Sequence, residues 1–283
     1  IDIINPDLVI TIADRFETLA TAITAAYLNI PLGHIQGGEV SGSIDEKVRH
    51  SITKLADIHF VSTNKSKNNL IKMGEERKKV FVTGCPSIDL IKNISDMKLD
   101  FNPITKYRGI GSDIDFKKKY IIVMQHPVTT NYENSALQIE ETIKAIKKIN
   151  MQTIWMWPNI DVGSDNISKK LRLLRERNKS LKLHFFKNFS PEDFLKLCFN
   201  SQILIGNSSV GIRECSYLGV NVINIGNRQK NRERGNNIID VEYNSAQIVK
   251  AANKYLTKNK KSLRSKLYGN GNAGKKILKI INK

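Results

Sequence analysis

The stretch that decides the fold is HIQGGEVSGSIDEKVRHSITKLADIHF at residues 34–60, where an apolar strand ends, a Gly-Gly pair breaks it, a helix follows and a second strand begins. Ser43 and Asp45 mark the start of the helix, which is predicted over 45–56. Strand–helix–strand units of this length are typical of a parallel sheet. This stretch contains more polar side chains than a fold alone requires, so the sequence also predicts a functional loop here.

The alternation of strands and helices extends in both directions from this stretch. The β-branched run at 8–13 predicts a buried parallel strand. Further strands are predicted at 31–35, 58–62 and 80–83, with helices at 16–29 and 64–73. That first strand already sits deep inside what resembles a doubly wound unit, so we expect the first lobe to lack one or two N-terminal βα units.

The second half repeats the pattern after a polar, Gly-containing stretch at 102–118, which is predicted to be a linker. Strands are predicted at 120–124, 152–157, 183–186, 202–205 and 220–225, with helices near 133–149, 169–179, 191–200 and 209–218. We therefore expect an α/β protein of two lobes that share one cleft. The predicted domains are a first lobe at 1–105, a second lobe at 118–245 and a C-terminal helical segment at 246–283 that packs back towards the first lobe.

Composition argues against several classes of protein. A hydrophobic fraction of 40% and a charged fraction of 25% are those of a globular protein. No apolar run reaches the roughly 18–20 residues of a membrane span, and no secretory signal opens the chain. Three widely spaced cysteines indicate neither a disulfide framework nor a zinc site, which favours the cytoplasm. The net charge of +18 comes from scattered lysines without a nucleic-acid-reading motif, so we expect neither a nucleic acid nor a membrane as partner.

A second polar island, GNSSVGIRE at residues 206–214, follows a predicted strand and opens a helix. Backbone N–H groups and the helix dipole favour a phosphate at that point, and the hydroxyls of Ser208 and Ser209 add donors. An ordinary helix cap is the alternative. Glu214 and Arg228 place further polar groups at the same carboxyl edge of the sheet, which is where open α/β sheets bind ligands.

Two strand ends in the second half carry further candidates. His126 ends a strand and precedes a proline, and its imidazole could contact a phosphate or transfer a proton. The alternative is a histidine that only caps the strand. Asn159 also follows a strand, although Pro-Asn is common turn chemistry.

Two carboxylates in the first half are candidates for proton transfer. Asp14 follows the first strand and Asp45 opens the helix after the second, so both are expected at the carboxyl edge of the sheet. A base and an acid with separated pKa values can break and remake a C–H bond. The alternatives are an ion pair of Asp14 with Arg15 and a helix-terminal acid at Asp45. Arg49 and His50 are typical of a salt-bridging helix face, and no spacing indicates a metal site.

Taken together, these motifs resemble those of one known family. The motifs are DRFE at 14–17, HIQGGEVSGSIDE at 34–46, RHSITKLA at 49–56, GCPS at 84–87, QHPVTT at 125–130, PNIDVGS at 158–164, GNSSVGIRE at 206–214 and INIGNRQ at 223–229. In order and spacing, over nearly the whole chain, they are similar to the hydrolysing UDP-N-acetylglucosamine 2-epimerases of the sialic-acid and nonulosonic-acid pathways.

The resemblance implies the GT-B architecture of two Rossmann-like lobes, with the nucleotide bound mainly by the second. It implies elimination of UDP to a 2-acetamidoglucal and addition of water with inversion at C2, which releases N-acetylmannosamine without a metal or other cofactor. It also implies a homodimer or homotetramer. Carried over position by position, the catalytic residues are Asp14 and Asp45, together with His34 and Glu39. The residues that would bind the UDP-sugar's nucleotide are Arg15, His126, Asn159, Ser208, Ser209, Glu214 and Arg228, with Glu214 on the ribose.

Two departures from the family pattern leave the substrate open. Gln36 stands where the family has a catalytic glutamate. Either that role is dispensable, or Glu39 replaces it, or the preferred sugar differs, as in related enzymes that act on UDP- or GDP-linked diacetamido-trideoxy sugars. The family's N-terminal Gly-rich segment is also absent from the sequence. A GT-B glycosyltransferase and a non-catalytic nucleotide-sugar binder are the alternatives from other classes.

Overall fold

The computed structural model describes residues 1–258 and 260–282 and divides into two compact units. The first unit comprises Ile1–Asn93 together with the C-terminal segment from Lys266, and the second comprises Ile94–Ser265. Each unit is built on its own sheet. None of the described helices is long and apolar enough to span a lipid bilayer.

Strands and helices alternate along the described residues. The strands are β1 (Val9–Ile12), β2 (Leu32–Ile35), β3 (Ile58–Val61), β4 (Val80–Val82), β5 (Ile110–Gly111), β6 (Ile121–Met124), β7 (Thr153–Met156), β8 (Leu183–Phe186), β9 (Ile203–Gly206), β10 (Asn221–Ile225) and β11 (Ile238–Val241). The helices are α1 (Phe16–Tyr27), α2 (Ile44–Leu55), α3 (Asn64–Lys72), α4 (Pro86–Asn93), α5 (Pro103–Tyr107), α6 (Ser135–Ile149), α7 (Ser164–Arg177), α8 (Pro191–Asn200), α9 (Ser209–Ile212), α10 (Glu214–Leu218), α11 (Ser245–Lys258) and α12 (Ala273–Ile281).

The sheet of the first unit is parallel and has the order β1-β2-β3-β4. The strands β2 and β3 are almost entirely buried, as near-continuous apolar runs in a parallel sheet require. The prediction that residues 8–13 form a buried strand is wrong for its side chains, since Ile10 and Ile12 are 43% and 51% exposed. The physical reason is that β1 lies at the edge of the described sheet and pairs only with β2.

Small apolar clusters hold the first unit together. Ala22 and Ala25 of α1 pack with Leu32 and Ile52, so α1 and α2 cover one face of the sheet. On another part of the sheet, Ile277 of α12 packs against Ile35 and Phe60. The C-terminal helix therefore contributes core side chains to the first unit.

The sheet of the second unit has seven strands in the order β11-β10-β9-β6-β7-β8-β5. Six of them are parallel, and β5 joins antiparallel to β8 at the edge. From β6 the chain proceeds outwards through β7 and β8, then returns to the other side of β6 with β9, β10 and β11. This is the doubly wound Rossmann order, and its switch point lies between β6 and β9.

One large core fills the second unit. It combines side chains of the parallel strands, such as Trp155 and Phe185, with the buried faces of α6, α7 and α11. The rings of Trp155 and Phe185 lie 6.1 Å apart, measured between their centroids, and are nearly parallel.

The grouping of segments differs from the predicted domain boundaries in three places. The first lobe was predicted to extend to residue 105, whereas the second unit begins at Ile94. The predicted linker at 102–118 contributes α5 and β5 to the second unit, where Tyr107 donates a hydrogen bond to Asp193 at 2.5 Å and Ile110 pairs with Phe185. Helix α11 also belongs to the second unit, because it buries Ile248 and neighbouring alanines in that core. Of the predicted C-terminal segment at 246–283, only the part from Lys266 belongs to the first unit.

We predict that Gly38→Ala destabilises the first unit. Gly38 has a φ of +77°, and a Cβ at this position would lie 2.4 Å from the Ser66 carbonyl oxygen. Backbone strain combined with that clash should lower the free energy of unfolding by about 2 kcal/mol or more. Thermal or urea denaturation followed by circular dichroism measures it.

The matched control for this change is Gly274→Ala in the same unit. Its Cβ would make an ordinary contact of 3.5 Å with Asp89 Oδ2, and Gly274 has no positive φ. Equal destabilisation by the two substitutions would contradict the strain assigned to Gly38.

Candidate functional site

The first candidate site begins where β1 ends. Ala13 turns the chain with a φ of +62°, and Asp14 follows it. The Asp14 carboxylate forms an ion pair with Nη2 of Arg49, a side chain of α2 that is only 1% exposed. Nη1 of Arg49 donates to the Glu39 carbonyl oxygen at 2.6 Å, so the same guanidinium also holds the loop after β2. The end of β1, that loop and α2 are therefore tied to one buried charge.

The Asp14 carboxylate, for which Arg15 was considered as a partner from the sequence, pairs with Arg49. The Arg15 guanidinium pairs with Glu17 at 3.3 Å on the exposed surface. Arg49 was expected on a salt-bridging helix face; it does form a salt bridge, and the structure adds that its side chain is buried. Its spacing from Ile52 and Thr53, the other buried residues of α2, was the available signal.

Asp45 lies in the first turn of α2 and is half-buried. It precedes Arg49 by one helical turn, which places both side chains on the same face of the helix. Since Arg49 binds Asp14, the structure ties Asp14 to the helix face that carries Asp45. Asp14 is thus bound by the guanidinium of Arg49, and Asp45 lies one helical turn before that residue.

His34 is fully buried and holds the backbone just before Asp14 in place. Its Nδ1 lies 3.1 Å from Thr53 Oγ1, and its Nε2 lies 2.9 Å from the Ala13 carbonyl oxygen. A carbonyl only accepts, so the proton resides on Nε2 and Nδ1 accepts from the threonine hydroxyl. Burial lowers the pKa of His34 from 6.5 to about 4. Both nitrogens are engaged, so the ring orients the residue that precedes Asp14.

The loop after β2 also carries Gln36 and Glu39, both buried. Gln36 adopts a φ of +67°, a left-handed conformation that non-glycine residues rarely take. Its side-chain amide donates to Cys85 Sγ at 2.9 Å, and that sulfur lies 2.9 Å from Ser87 Oγ. The amide at the position of the family's glutamate is therefore held by the turn after β4.

The second candidate site is centred on Asn207, directly after β9. Its side-chain Oδ1 accepts from His126 N at 2.7 Å, and its Nδ2 donates to the His126 carbonyl oxygen at 2.8 Å. These two bonds join the ends of β9 and β6 at the switch point of the sheet. A Cβ at Gly206 would lie 1.9 Å from the Met124 carbonyl oxygen, so only glycine permits this close approach.

His126 is a neutral hydrogen-bond donor in this site. Its Nδ1 accepts from Asn159 N at 3.1 Å, which leaves the ring proton on Nε2. Burial is the main cause that lowers the pKa of His126 from 6.5 to about 3, and Arg228 adds to it. The side-chain amide of Asn159 is in turn held by Asp161.

Ser208 and Ser209 begin the short helix α9. Ser208 Oγ accepts from Val210 N at 3.4 Å, so the cap expected as the alternative is present. Ser209 Oγ accepts from Arg213 Nη2 at 3.1 Å, which brings a guanidinium to the same turn. A cap does not exclude a phosphate-binding role, since a serine hydroxyl has two lone pairs and a proton to donate.

Glu214 and Arg228 complete the predicted set. Glu214 is 8% exposed, and its buried Oε2 meets no hydrogen-bond partner among the described residues. Arg228 Nη1 donates to the Asn207 carbonyl oxygen at 3.4 Å. Gln229, which is 2% exposed, donates to the same oxygen at 2.9 Å. Asn207 and Gln229 were missed as site residues, although both lie inside motifs quoted for the family.

The second site therefore occupies the carboxyl ends of four adjacent strands, β10, β9, β6 and β7. Arg228 follows β10, Ser208 and Ser209 follow β9, His126 follows β6 and Asn159 follows β7. Neutral N–H and O–H donors and guanidinium groups dominate it, which suits an anionic ligand such as a diphosphate. Within residues 1–258 and 260–282, no group of His, Cys, Asp and Glu side chains could hold a metal ion.

Residues 1–282 match the protein-family model described as UDP-N-acetylglucosamine 2-epimerase. The chain belongs to this family. The resemblance noted from the motifs is thereby confirmed.

Three curated relatives show how the match is distributed. The Legionella pneumophila UDP-N,N'-diacetylbacillosamine 2-epimerase (hydrolyzing) is 36% identical over 98% of this chain and 71% of its own length. The Neisseria meningitidis UDP-N-acetylglucosamine 2-epimerase is 35% identical over 88% of this chain and 63% of its own length. The Campylobacter jejuni GDP/UDP-N,N'-diacetylbacillosamine 2-epimerase (hydrolyzing) is 35% identical over 85% of this chain and 62% of its own length. The chain thus spans between 62% and 71% of the length of these relatives.

Solved structures are similar in fold. The Neisseria meningitidis UDP-GlcNAc 2-epimerase bound to UDP-GlcNAc has a TM-score of 0.75 at 23% identity, covering 99% of this chain and 77% of that one. The Methanocaldococcus jannaschii enzyme in complex with UDP-GlcNAc and UDP has a TM-score of 0.77 at 22% identity, covering 98% and 76%. The predicted fold class, α/β with two Rossmann-like domains of the GT-B type, is confirmed.

We predict that Arg49→Lys destabilises the first unit by about 2 kcal/mol or more, because an ammonium cannot donate simultaneously to Asp14 and to the Glu39 carbonyl. Urea denaturation measures the change. Arg15→Lys is the control, since an exposed pair of this kind contributes about 0.2–1 kcal/mol. Comparable stability of the two variants would contradict the central role of Arg49.

We predict that the rings of His34 and His126 do not titrate between about pH 5 and 8, and that both carry the proton on Nε2. Nitrogen-15 histidine NMR reads the tautomer and the titration directly. Unfolded rings take up protons near pH 6.5 and the folded ones do not, so stability should fall as the pH drops from about 6.5 towards 4.

The control for this titration is the same protein in urea, where all five histidines should titrate near pH 6.5. A folded-state midpoint near 6.5 for either ring would contradict the buried, neutral assignment.

Proposed function

We propose that this chain carries the activity of a hydrolysing 2-epimerase that acts on a UDP-linked 2-acetamido sugar. The first candidate substrate is UDP-N-acetylglucosamine, with N-acetylmannosamine and UDP as products. The family membership and the printed activities of the relatives support this proposal. The observation that carries it is the buried Arg49, which binds Asp14 and shares a helix face with Asp45.

In the proposed reaction, the first unit performs the proton transfers. A carboxylate of the Asp14/Asp45 pair removes the proton from C2, the C1–O bond breaks, and UDP leaves with the bonding electrons. The product is a 2-acetamidoglucal with a C1–C2 double bond. Water then adds its hydroxyl to C1. C2 receives a proton on the face opposite the one from which the first proton was removed, which inverts its configuration. Two carboxylates in different surroundings are suited to act as base and acid in turn.

The second unit is proposed to bind the nucleotide. Ser208, Ser209 and the neutral Nε2–H of His126 donate to diphosphate oxygens, and Arg228 adds a positive charge. This arrangement stabilises the charge that develops on UDP as the C1–O bond breaks. The buried carboxylate of Glu214 is the acceptor for a ribose hydroxyl, which supplies the partner that its Oε2 lacks within the described protein. Arg15 and Asn159 are proposed as further nucleotide contacts.

UDP-N,N'-diacetylbacillosamine is the second candidate substrate. Two relatives named for this activity, or for its GDP/UDP form, match 98% and 85% of the chain at 36% and 35% identity. Gln36 also favours a difference in the sugar site, because an amide held by Cys85 cannot act as a base. Glu39 is the carboxylate proposed to replace it. We further propose a cytoplasmic homo-oligomer, whose size light scattering would measure.

We predict that Asp14→Asn abolishes release of UDP from the nucleotide sugar while leaving UDP binding intact. The amide keeps the shape of the carboxylate and cannot accept a proton, so turnover should fall by about 10²-fold or more. A coupled assay for free UDP, run with each candidate sugar, measures turnover, and calorimetry measures binding.

The outcomes of this substitution separate an epimerase from a binder. Unchanged UDP release in the variant would remove Asp14 from the mechanism. UDP binding without release of UDP from either sugar by the unsubstituted protein would indicate a non-catalytic nucleotide-sugar binder.

We predict that Ser208→Ala combined with Ser209→Ala weakens UDP binding several-fold or more, because charge-assisted hydrogen bonds worth about 1–3 kcal/mol are lost. Ser190→Ala is the matched control, since Ser190 caps α8 in the same unit by accepting from Asp193 N. Unchanged UDP affinity in the double variant would remove the phosphate site from this turn.

A further inference from the structure

The first unit contains a second polar depression, separate from the Asp14/Asp45 pair. It has a volume of about 310 Å³ and lies at the carboxyl ends of β3 and β4. Ser62, Thr63 and Asn64 line it from the end of β3, and Thr83 lines it from the end of β4. The remaining wall comes from the C-terminal segment that begins at Lys266. Nothing in the proposed reaction uses these residues.

The depression carries positive charge that the protein does not neutralise. Lys266 and Lys276 line it, and none of the described lining residues is acidic. Neither lysine forms an ion pair with any residue in the described ranges. The Asp89 carboxylate, at the start of the helix that carries Lys276, accepts from the N–H groups of Ala273 and Gly274 at 2.9 and 2.7 Å. The two ammonium groups therefore favour an anion from solution.

Neutral donors complete the lining. Helix α3 begins at Asn64 in the wall of the depression, is nine residues long and has no acidic side chain in its first turn. The N-cap Thr63 Oγ1 accepts from Ser66 N at 3.1 Å, so the Asn64 N–H and the helix dipole are what favour an oxyanion at that end. The side chain of Ser62 indicates a ligand independently of the lysines and the helix N-terminus. It is 2% exposed, and its Oγ meets no hydrogen-bond partner among the described residues.

A buried hydroxyl without a hydrogen-bond partner is unfavourable, so its presence in a wall that two lysines and a helix N-terminus also line requires an explanation. An oxyanion would accept the Ser62 proton and remove that penalty.

The walls of the depression are held in place by close backbone contact. A Cβ at Gly84 would lie 3.1 Å from the Gly269 Cα, and a Cβ at Gly269 would lie 3.1 Å from the Gly84 Cα. Cys85 N donates to the Tyr268 carbonyl oxygen at 2.7 Å beside this contact. The C-terminal segment is thus fixed against the end of β4, and the three segments that form the depression are preorganised.

We propose that this depression binds a phosphate group, either inorganic phosphate or the phosphate of a small monoester. Hydroxyl, helix N–H and ammonium donors around a small polar volume are the set that recognises a tetrahedral oxyanion. Lys266 and Lys276 supply the charge, Ser62 donates a hydrogen bond, and the first N–H of α3 supplies a backbone donor. The site is distinct from the nucleotide site proposed on the second unit.

The test is a titration of the nitrogen-15-labelled protein with inorganic phosphate, with chloride at equal ionic strength as the reference. Amide shifts at residues 62–66 and 83–84 should move and saturate with phosphate and not with chloride. The variant Lys266→Gln plus Lys276→Gln should weaken that response roughly ten-fold or more, since two charge-assisted contacts are lost. Lys279→Gln, which removes a lysine of α12 outside the lining, should leave it unchanged.

Amides of Ser209 and Val210 serve as an internal reference for the second unit. Their response to phosphate should be the same in all variants, so failure of the nucleotide-site proposal does not affect this test. A repeat with glucose 1-phosphate separates the two sources: tighter binding than inorganic phosphate assigns a monoester, and equal or weaker binding assigns the free ion. Absence of saturable shifts at 62–66 at tens of millimolar phosphate would overturn the proposal, as would an unchanged response in the double lysine variant.

Discussion

The buried guanidinium of Arg49 is the interaction on which the first unit depends. A charge that is 1% exposed is tolerated only when its donors are satisfied, and here Asp14 and the Glu39 carbonyl satisfy them. Each of these partners comes from a different part of the chain, so the end of β1, the loop after β2 and α2 must all be correctly placed. His34 helps to place Asp14, because its ring donates a hydrogen bond to the carbonyl oxygen of the preceding residue, Ala13. The same constraint holds Asp14, one of the two carboxylates proposed for proton transfer.

In the second unit the strand ends are joined by a neutral side chain and not by a buried guanidinium. Asn207 joins the ends of β6 and β9 through its side-chain amide, and Gly206 allows the backbones to meet. The result is a set of neutral donors, with guanidinium groups at its margin, at the switch point of a doubly wound sheet. The contrast between the units agrees with the proposed division of labour. The first offers carboxylates for acid–base chemistry, and the second offers donors for an anionic leaving group.

Much of the fold could be predicted from the sequence, because apolar runs separated by amphipathic helices leave few alternatives to a parallel sheet. The side-chain environment of individual residues was harder to predict. The sequence of α2 indicates a salt-bridging Arg49, but neither its burial nor its partner Asp14, 35 residues away in the chain, follows from the sequence. The side-chain amides of Asn207 and Gln229 bond to backbone N–H and carbonyl groups, and the sequence does not show which backbone groups lie within reach. The exposure of β1 depends on sheet order, which periodicity does not encode.

The measurement that tests the central claim most directly is proton NMR of the protein with UDP-N-acetylglucosamine, and separately with UDP-N,N'-diacetylbacillosamine, in D2O. The account predicts free UDP together with the 2-epimeric free sugar, carrying deuterium at C2, from at least one of the two. Deuterium at C2 reports the broken C–H bond, and free UDP reports the hydrolysing class. An equilibrium between epimeric nucleotide sugars without free UDP would contradict the account, as would release of a sugar that retains its C2 proton and configuration.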